Sequence, residues 1–286
     1  RTLLARRRPS LSLRQPGETF RQYAQKQTTV NSRNSKIVLH GAGVTKLFGG
    51  VQALRSLDFE LHEGEILGLI GPNGSGKTTL FNVISGVFPA TSGDVFFDGK
   101  AIGGLPAHVI ATSGLHRTFQ NVRLFKRLSV LTNVEIGAHT DVKASLFDTV
   151  ARSRAFRRLE REAEERARRW LDFVGLEHRA EELARNLPFG EQKLLEIARA
   201  LAGNPKVLLL DEPAAGLNPH EVAILADVIR RIREMGITVF VVEHNMRLIM
   251  DICDRIIVIN FGEKVTEGMP AQIQQNPAVQ EVYLGT

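Results

Sequence analysis

The run Gly71-Pro72-Asn73-Gly74-Ser75-Gly76-Lys77-Thr78 carries the most specific chemistry in the chain. It has a glycine, four free positions, then Gly-Lys-Thr. Glycines let successive backbone N–H groups turn inward around phosphate oxygens, and the N-terminus of a following helix adds partial positive charge. Lys77 is then placed to reach the terminal phosphates of a polyphosphate, and the Thr78 hydroxyl to hold Mg²⁺. Thr79, next in the helix, belongs to the same cradle. Glu65 to Ile70 reads as a buried strand and Lys77 to Val87 as a helix, which is the setting such a loop requires.

Two further groups sit at the ends of apolar runs. Asp211 and Glu212 follow Val207-Leu208-Leu209-Leu210, a pattern expected for a parallel strand covered on both faces. A carboxylate pair there is costly unless a cation or water receives it. The assignment is Asp211 to Mg²⁺ and Glu212 to an attacking water, against a plainer reading in which two acids cap a loop. His244 ends Val239-Phe240-Val241-Val242-Glu243. A lone histidine is often structural, but here three polar groups share the carboxyl ends of predicted strands, where open α/β sheets bind ligands. His244 is therefore assigned to the γ-phosphate.

The remaining elements must position these groups. Ile37 to Val44 and Leu57 to Leu61 read as strands. A short strand is bracketed by Ser92-Gly93-Asp94 and Asp98-Gly99-Lys100, so an antiparallel β layer is expected beside the parallel sheet. From Val150 to Val174, Phe156, Leu159, Ala163, Ala167, Trp170, Leu171 and Val174 recur at helical spacing. Glu162/Arg166, Glu164/Arg168 and Glu165/Arg169 form i,i+4 pairs on the other face. A helical subdomain over about residues 121–203 follows, with Gly190 to Leu201 as its last helix. Asn218, Pro219 and Glu221 make a helix start with a capping box.

The chain has 286 residues, 43% hydrophobic and 24% charged, enough for a sizeable core. No apolar run approaches the length that spans a bilayer. Cys253 is the only cysteine, which excludes an intrachain disulfide and fits a reducing, intracellular compartment. The net charge of +6 suggests nucleic acid until it is located. Residues 1–36 hold nine Lys/Arg against Glu18, and the remaining 250 residues hold 28 basic and 30 acidic groups. A nearly neutral body argues against a phosphate-backbone footprint, so no nucleic-acid partner is expected. Residues 1–36 read as a basic, disordered segment. It is either a leader or a linker from a fused permease, and Pro9 and Pro16 favour the linker. No internal repeat is present.

In order along the chain stand the glycine loop, Gln120, Leu187-Pro188-Phe189-Gly190-Glu191-Gln192, Asp211-Glu212 and His244. This order resembles the nucleotide-binding subunit of ATP-binding-cassette (ABC) transporters over residues 37–286. Arg117-Thr118-Phe119-Gln120-Asn121-Val122-Arg123-Leu124-Phe125, Leu195-Glu196-Ile197-Ala198-Arg199, Asp211 through Pro219 and terminal Tyr283-Leu284-Gly285 are similar to the larger ATPase of the branched-chain amino-acid uptake family. The resemblance implies an α/β fold, with a P-loop NTPase parallel-sheet core, an antiparallel β layer and an inserted α-helical subdomain. It implies ATP and Mg²⁺ as ligands, with Gln120 at the metal and the attacking water and Phe48 stacked on adenine. It also implies a head-to-tail pair with a second ATPase subunit, identical or not, whose nucleotide would meet Gly190 and Glu191. A transmembrane permease, indirectly a periplasmic or extracellular binding protein, and the cytoplasmic face of the inner membrane complete the expectation. Pro188 departs from the serine usual in the family signature, so a side-chain contact to the partner's γ-phosphate should be missing, while the Gly190 N–H remains. A soluble ATPase acting on ribosomes or DNA and a non-hydrolysing regulatory subunit are the alternatives.

Overall fold

The structure is a computed structural model that describes residues 36–118, 120, 122–138 and 154–284. The basic segment 1–35, the residues around Gln120 and part of the insert lie outside the described residues.

Two sheets build the body. The six-stranded sheet runs β10-β9-β3-β8-β7-β6. Its strands are β3 (Ile66–Ile70), β6 (Leu115–Arg117), β7 (Val207–Asp211), β8 (Thr238–Val242), β9 (Arg255–Asn260) and β10 (Glu263–Gly268). All pairings are parallel except that of β10 on β9. The other sheet is antiparallel and runs β2-β1-β4-β5, with β1 (Ile37–Phe48), β2 (Val51–His62), β4 (Ser92–Phe97) and β5 (Lys100–Ala101). The predicted β layer is thus present, with longer strands than the sequence suggests. A two-residue turn at Gly49-Gly50 pairs Phe48 with Val51, which carries the ladder past the polar residues that mask its pattern.

The central strands are apolar on both sides because each side meets a different core. Leu67, Leu69, Val207, Leu209, Phe240, Val242, Ile257 and Ile259 point into the layer shared with the antiparallel sheet. Alternate residues Ile66, Ile70, Leu208, Leu210, Val239, Val241, Ile256 and Val258 point into the layer covered by helices. With a side-chain period of two, a continuous apolar run is the only pattern that satisfies both layers.

The helices are α1 (Lys77–Ile84), α2 (Ala107–Thr112), α3 (Val130–Ala138), α4 (Arg154–Phe173), α5 (Phe189–Ala202), α6 (Pro219–Glu234), α7 (Met246–Ile252), α8 (Pro270–Gln275) and α9 (Pro277–Leu284). Helix α1 stops at Ile84, short of the predicted Val87, because the Val87 N–H turns back to the Asn82 carbonyl at 2.9 Å. Ala163, Ala167, Leu171 and Val174 bury one face of α4 and its C-terminal end, as their spacing requires. Phe156 and Leu159 are residues whose side chains lie outside the description. On the opposite face Arg168 meets Glu164, Glu177 and Glu181, each at 3.0 Å.

Helix α6 begins as its sequence dictates. The Asn218 side chain accepts from the backbone N–H of His220 (3.0 Å) and Glu221 (3.1 Å), and the Glu221 carboxylate accepts from the Asn218 N–H at 2.9 Å. Replacing Asn218 by Ala removes the cap and should cost about 1 kcal/mol in urea denaturation, with the sheet intact. An unchanged midpoint would show that packing alone holds the start of α6.

Candidate functional site

The carboxyl ends of β3, β7 and β8 converge on a cavity of about 680 Å³, lined by Gly71, Pro72, Asn73, Gly74, Gly76, Lys77, Thr78, Thr79, Gln120, Glu212, His244, Ala53 and Tyr283. Most of the residues singled out in the sequence therefore share one space. The loop is compact by construction. Gly76 has φ of 106°, and a Cβ there would lie 2.6 Å from the Ala53 carbonyl oxygen. Only glycine fits that turn against the antiparallel layer. Lys77 is buried, and its ammonium donates to the carbonyls of Gly71 (2.7 Å) and Pro72 (2.8 Å). Burial pushes its pKa below the usual 10.5, opposed by the charges of Glu212 and Asp211. The Ser75 hydroxyl, also buried in the loop, has no hydrogen-bond partner among the described residues.

Asp211 and Glu212 part at the end of β7. Asp211 stays in the sheet, and its Oδ2 pairs with the Arg117 guanidinium at 2.7 Å. Its Oδ1 is buried without a partner among the described residues. Glu212 turns out of the strand through a left-handed conformation, φ 46°, which is strained for a residue with a side chain. The turn aims its carboxylate at the cavity while its N–H still bonds the Val242 carbonyl at 2.9 Å. Glu212 Oε2 accepts from the Gln120 side-chain amide at 2.8 Å and lies 3.9 Å from His244 Nδ1. A carboxylate, an amide and an imidazole thus form one polar wall facing the loop.

The sequence assigns no role to four groups around this wall. Glu243 is wholly buried and accepts backbone N–H groups from Ala214 (2.7 Å), His244 (2.9 Å) and Asn245 (3.0 Å), which fixes the turn carrying His244 to the segment after Glu212. Lys193 of α5 is buried and donates to the Gln120 carbonyl at 2.9 Å, with burial lowering its pKa. Arg117 was noted only as part of a motif. Tyr283 of α9 lines the cavity, and burial raises its phenol to about 12 against a hydrogen bond from Gly71 backbone. The only sequence signal for Glu243 and Lys193 is a charge inside an apolar pattern, which does not say what the charge faces.

Five assigned residues are not part of the cavity lining: Ser75 and Asp211, both buried, and Phe48, Gly190 and Glu191. Phe48 stands at the tip of the β1–β2 hairpin, edge-on to Phe88 with ring centroids 5.2 Å apart. Its hairpin partner strand carries Ala53 into the lining. Gly190 and Glu191 sit in the first turn of α5, after Pro188 at its N-cap. A Cβ on Gly190 would lie 2.5 Å from a carboxylate oxygen of Glu221, so any side chain there would displace the Glu221 carboxylate. The Glu191 carboxylate lies 2.8 Å from the Arg179 guanidinium.

The residues fit a hard cation beside phosphates. Thr78 offers a hydroxyl in the cavity, and Asp211 Oδ1 is a buried carboxylate oxygen that lacks a partner among the described residues. Oxygen donors of this kind suit Mg²⁺, which keeps several of its waters.

Lys77→Gln keeps donors near the two loop carbonyls but removes the charge. It should lower nucleotide affinity by about 10- to 100-fold, the worth of a charge-assisted hydrogen bond, without lowering the thermal midpoint. Fluorescence titration with a labelled nucleotide measures the first and calorimetry the second. Wild-type affinity in the variant would show that this ammonium does not face phosphate.

Comparisons with known proteins agree with the geometry. The family described as ABC transporter matches residues 54–215, more than half of the chain, and the family described as branched-chain amino acid ATP-binding cassette transporter matches residues 263–286. The high-affinity branched-chain amino acid transport ATP-binding protein BraF of Pseudomonas aeruginosa is 44% identical over 252 residues, covering 88% of this chain and 99% of the relative. Among solved structures, a nucleotide-free ATP-binding cassette from an ABC transporter is similar at TM-score 0.77 and 31% identity, covering 88% of this chain and all of that one. A dimeric cassette in a post-hydrolysis state with ADP and Pi is similar at TM-score 0.69 and 28% identity, over 81% of this chain and 98% of that one. The wall of Glu212, Gln120 and His244 facing a glycine loop is thus set in a chain that belongs to the ABC transporter family, as an ATP-binding cassette with the branched-chain amino acid transporter C-terminal region.

Proposed function

We propose that this chain is the ATP-hydrolysing motor subunit of an importer for branched-chain amino acids. The observation that carries the reading is the single cavity in which the Lys77 loop faces Glu212, Gln120 and His244. Names of relatives such as BraF and the Escherichia coli protein LivG, 42% identical over 252 residues, support the transported class.

Lys77 would leave the Gly71 and Pro72 carbonyls for the β- and γ-phosphates, whose negative charge would favour the ammonium that burial disfavours. Thr78 and Asp211 would hold Mg²⁺, which neutralises developing charge on the phosphates. Glu212 would accept the proton of the attacking water, Gln120 would orient that water through its bond to Glu212, and His244 would donate to the γ-phosphate. Phe48 would stack on adenine from the hairpin tip.

The start of α5, with Gly190, Glu191 and half-exposed Phe189, stands outside the cavity. It would complete the site of a second ATPase subunit in a head-to-tail pair, as the dimeric structural relative suggests. Closing that pair would be transmitted to a transmembrane permease supplied by a periplasmic or extracellular binding protein, with this subunit at the cytoplasmic face of the inner membrane. No helix among the described residues is long and apolar enough to cross a membrane, so the translocation path would belong to the permease.

Glu212→Gln should keep nucleotide binding but slow phosphate release by at least about 100-fold, because the proton acceptor is lost while the phosphate contacts persist. Normal turnover in that variant would remove Glu212 from the chemistry. Absence of any hydrolysis in the wild-type chain reconstituted with its membrane partners would contradict the motor reading as a whole.

A further inference from the structure

Arg117 occupies a place that hydrolysis chemistry does not explain. It ends β6, the strand beside β7, and its side chain is 6% exposed. One guanidinium nitrogen, Nη2, donates to Asp211 Oδ2 at 2.7 Å. The other, Nη1, donates to Asn82 Oδ1 and Ser85 Oγ, each at 2.8 Å. Asn82 and Ser85 belong to the end of the helix that begins at Lys77, and the ring of Phe81 from that helix lies 5.7 Å from the guanidinium carbon. A single rigid fork therefore joins the phosphate-loop helix to the acidic strand.

The fork treats the two carboxylate oxygens unequally. Oδ2 is taken, whereas Oδ1 is buried with no partner among the described residues. A buried carboxylate oxygen left unserved is destabilising, and an ordinary structural ion pair would gain by satisfying it. We propose that Arg117 is a positioning residue for the metal. It clamps Oδ2 so that Oδ1 stays aimed at the coordination shell of Mg²⁺, and it ties that aim to the helix that presents Lys77 and Thr78. This rests on the ATPase reading above. The planar, five-donor guanidinium suits the task because it can hold an amide, a hydroxyl and a carboxylate at fixed angles, which an ammonium cannot.

The test separates metal positioning from plain structural support. Arg117→Lys keeps the charge and loses the fork. Asn82→Ala/Ser85→Ala keeps Arg117 and frees its far end, a milder change if Arg117→Lys folds poorly. A fluorescent ATP analogue is titrated against wild type and each variant in EDTA and over a range of Mg²⁺, with thermal melting alongside. In EDTA both variants should bind within about twofold of wild type, since the cradle itself is untouched. The Mg²⁺ concentration giving half of the added affinity should rise about tenfold in Arg117→Lys, the low end of losses seen when a metal ligand loses its hydrogen-bond partner, and less, about threefold, in the double variant, where that partner remains. An unchanged Mg²⁺ midpoint in a folded variant overturns the proposal, as does an equal loss in EDTA and Mg²⁺, which would mark Arg117 as support for the loop alone. If wild type binds the nucleotide without any Mg²⁺ dependence, the metal assignment of Asp211 fails and the role of Arg117 falls with it.

Discussion

A sheet whose strands are apolar on both faces leaves its polar chemistry one outlet, the ends of the strands. Strands β3, β7, β8 and β9 are buried between the helical layer and the antiparallel layer, and alternate residues serve alternate cores. Because the pairing is parallel, all four release their chains at the same edge. The loop after β3, the carboxylates after β7 and the histidine after β8 meet there for that reason. A shift of one residue in any of these strands would exchange its two apolar sets and move its terminal polar group, so the packing of both cores sets the registration of the site.

Charge at that edge is arranged in depth. Lys77, Lys193, Asp211 and Glu243 are buried, and Arg117 is 6% exposed, whereas Glu212 and His244 reach the open cavity. The buried groups are held by fixed partners: Glu243 by three N–H groups, Lys193 by the Gln120 carbonyl, Arg117 by Asp211, Asn82 and Ser85. In a low-dielectric surround these contacts are strong when made and costly when broken, which gives the front groups a rigid backing. The strained φ of Glu212 fits this picture, since a residue is held in that region only where its surroundings over-determine it.

The loop, the acidic pair, His244 and the capped start of α6 were legible in the sequence because each is a local pattern with a local cause. Asn218, Pro219 and Glu221 form their capping box within four residues, and Gly76, Lys77 and Thr78 reach the cavity from one continuous loop and helix start. The antiparallel layer was visible in outline, but the full lengths of β1 and β2 were not, because their half-exposed residues alternate imperfectly. What the sequence hid was pairing at long range. Arg117 and Asp211 are 94 residues apart, and Lys193 and Gln120 are 73 apart. No spacing rule links such residues before the fold is known. The start of α5 was recognised by its motif, yet its place outside the cavity came only from the structure.

We read the strand ends as a preset polyphosphate and metal site around Lys77, Thr78 and Asp211. A crystal structure of the Glu212→Gln chain with Mg²⁺ and ATP tests it most directly. The β- and γ-phosphates are expected within the loop, with Lys77 moved from the carbonyls of Gly71 and Pro72 onto phosphate and the metal at about 2.0–2.1 Å from the Thr78 hydroxyl. Asp211 Oδ1 should face that metal through its water shell, with Oδ2 still on Arg117. Nucleotide bound elsewhere, or Asp211 turned away from the metal with Lys77 still on its loop carbonyls, would contradict it.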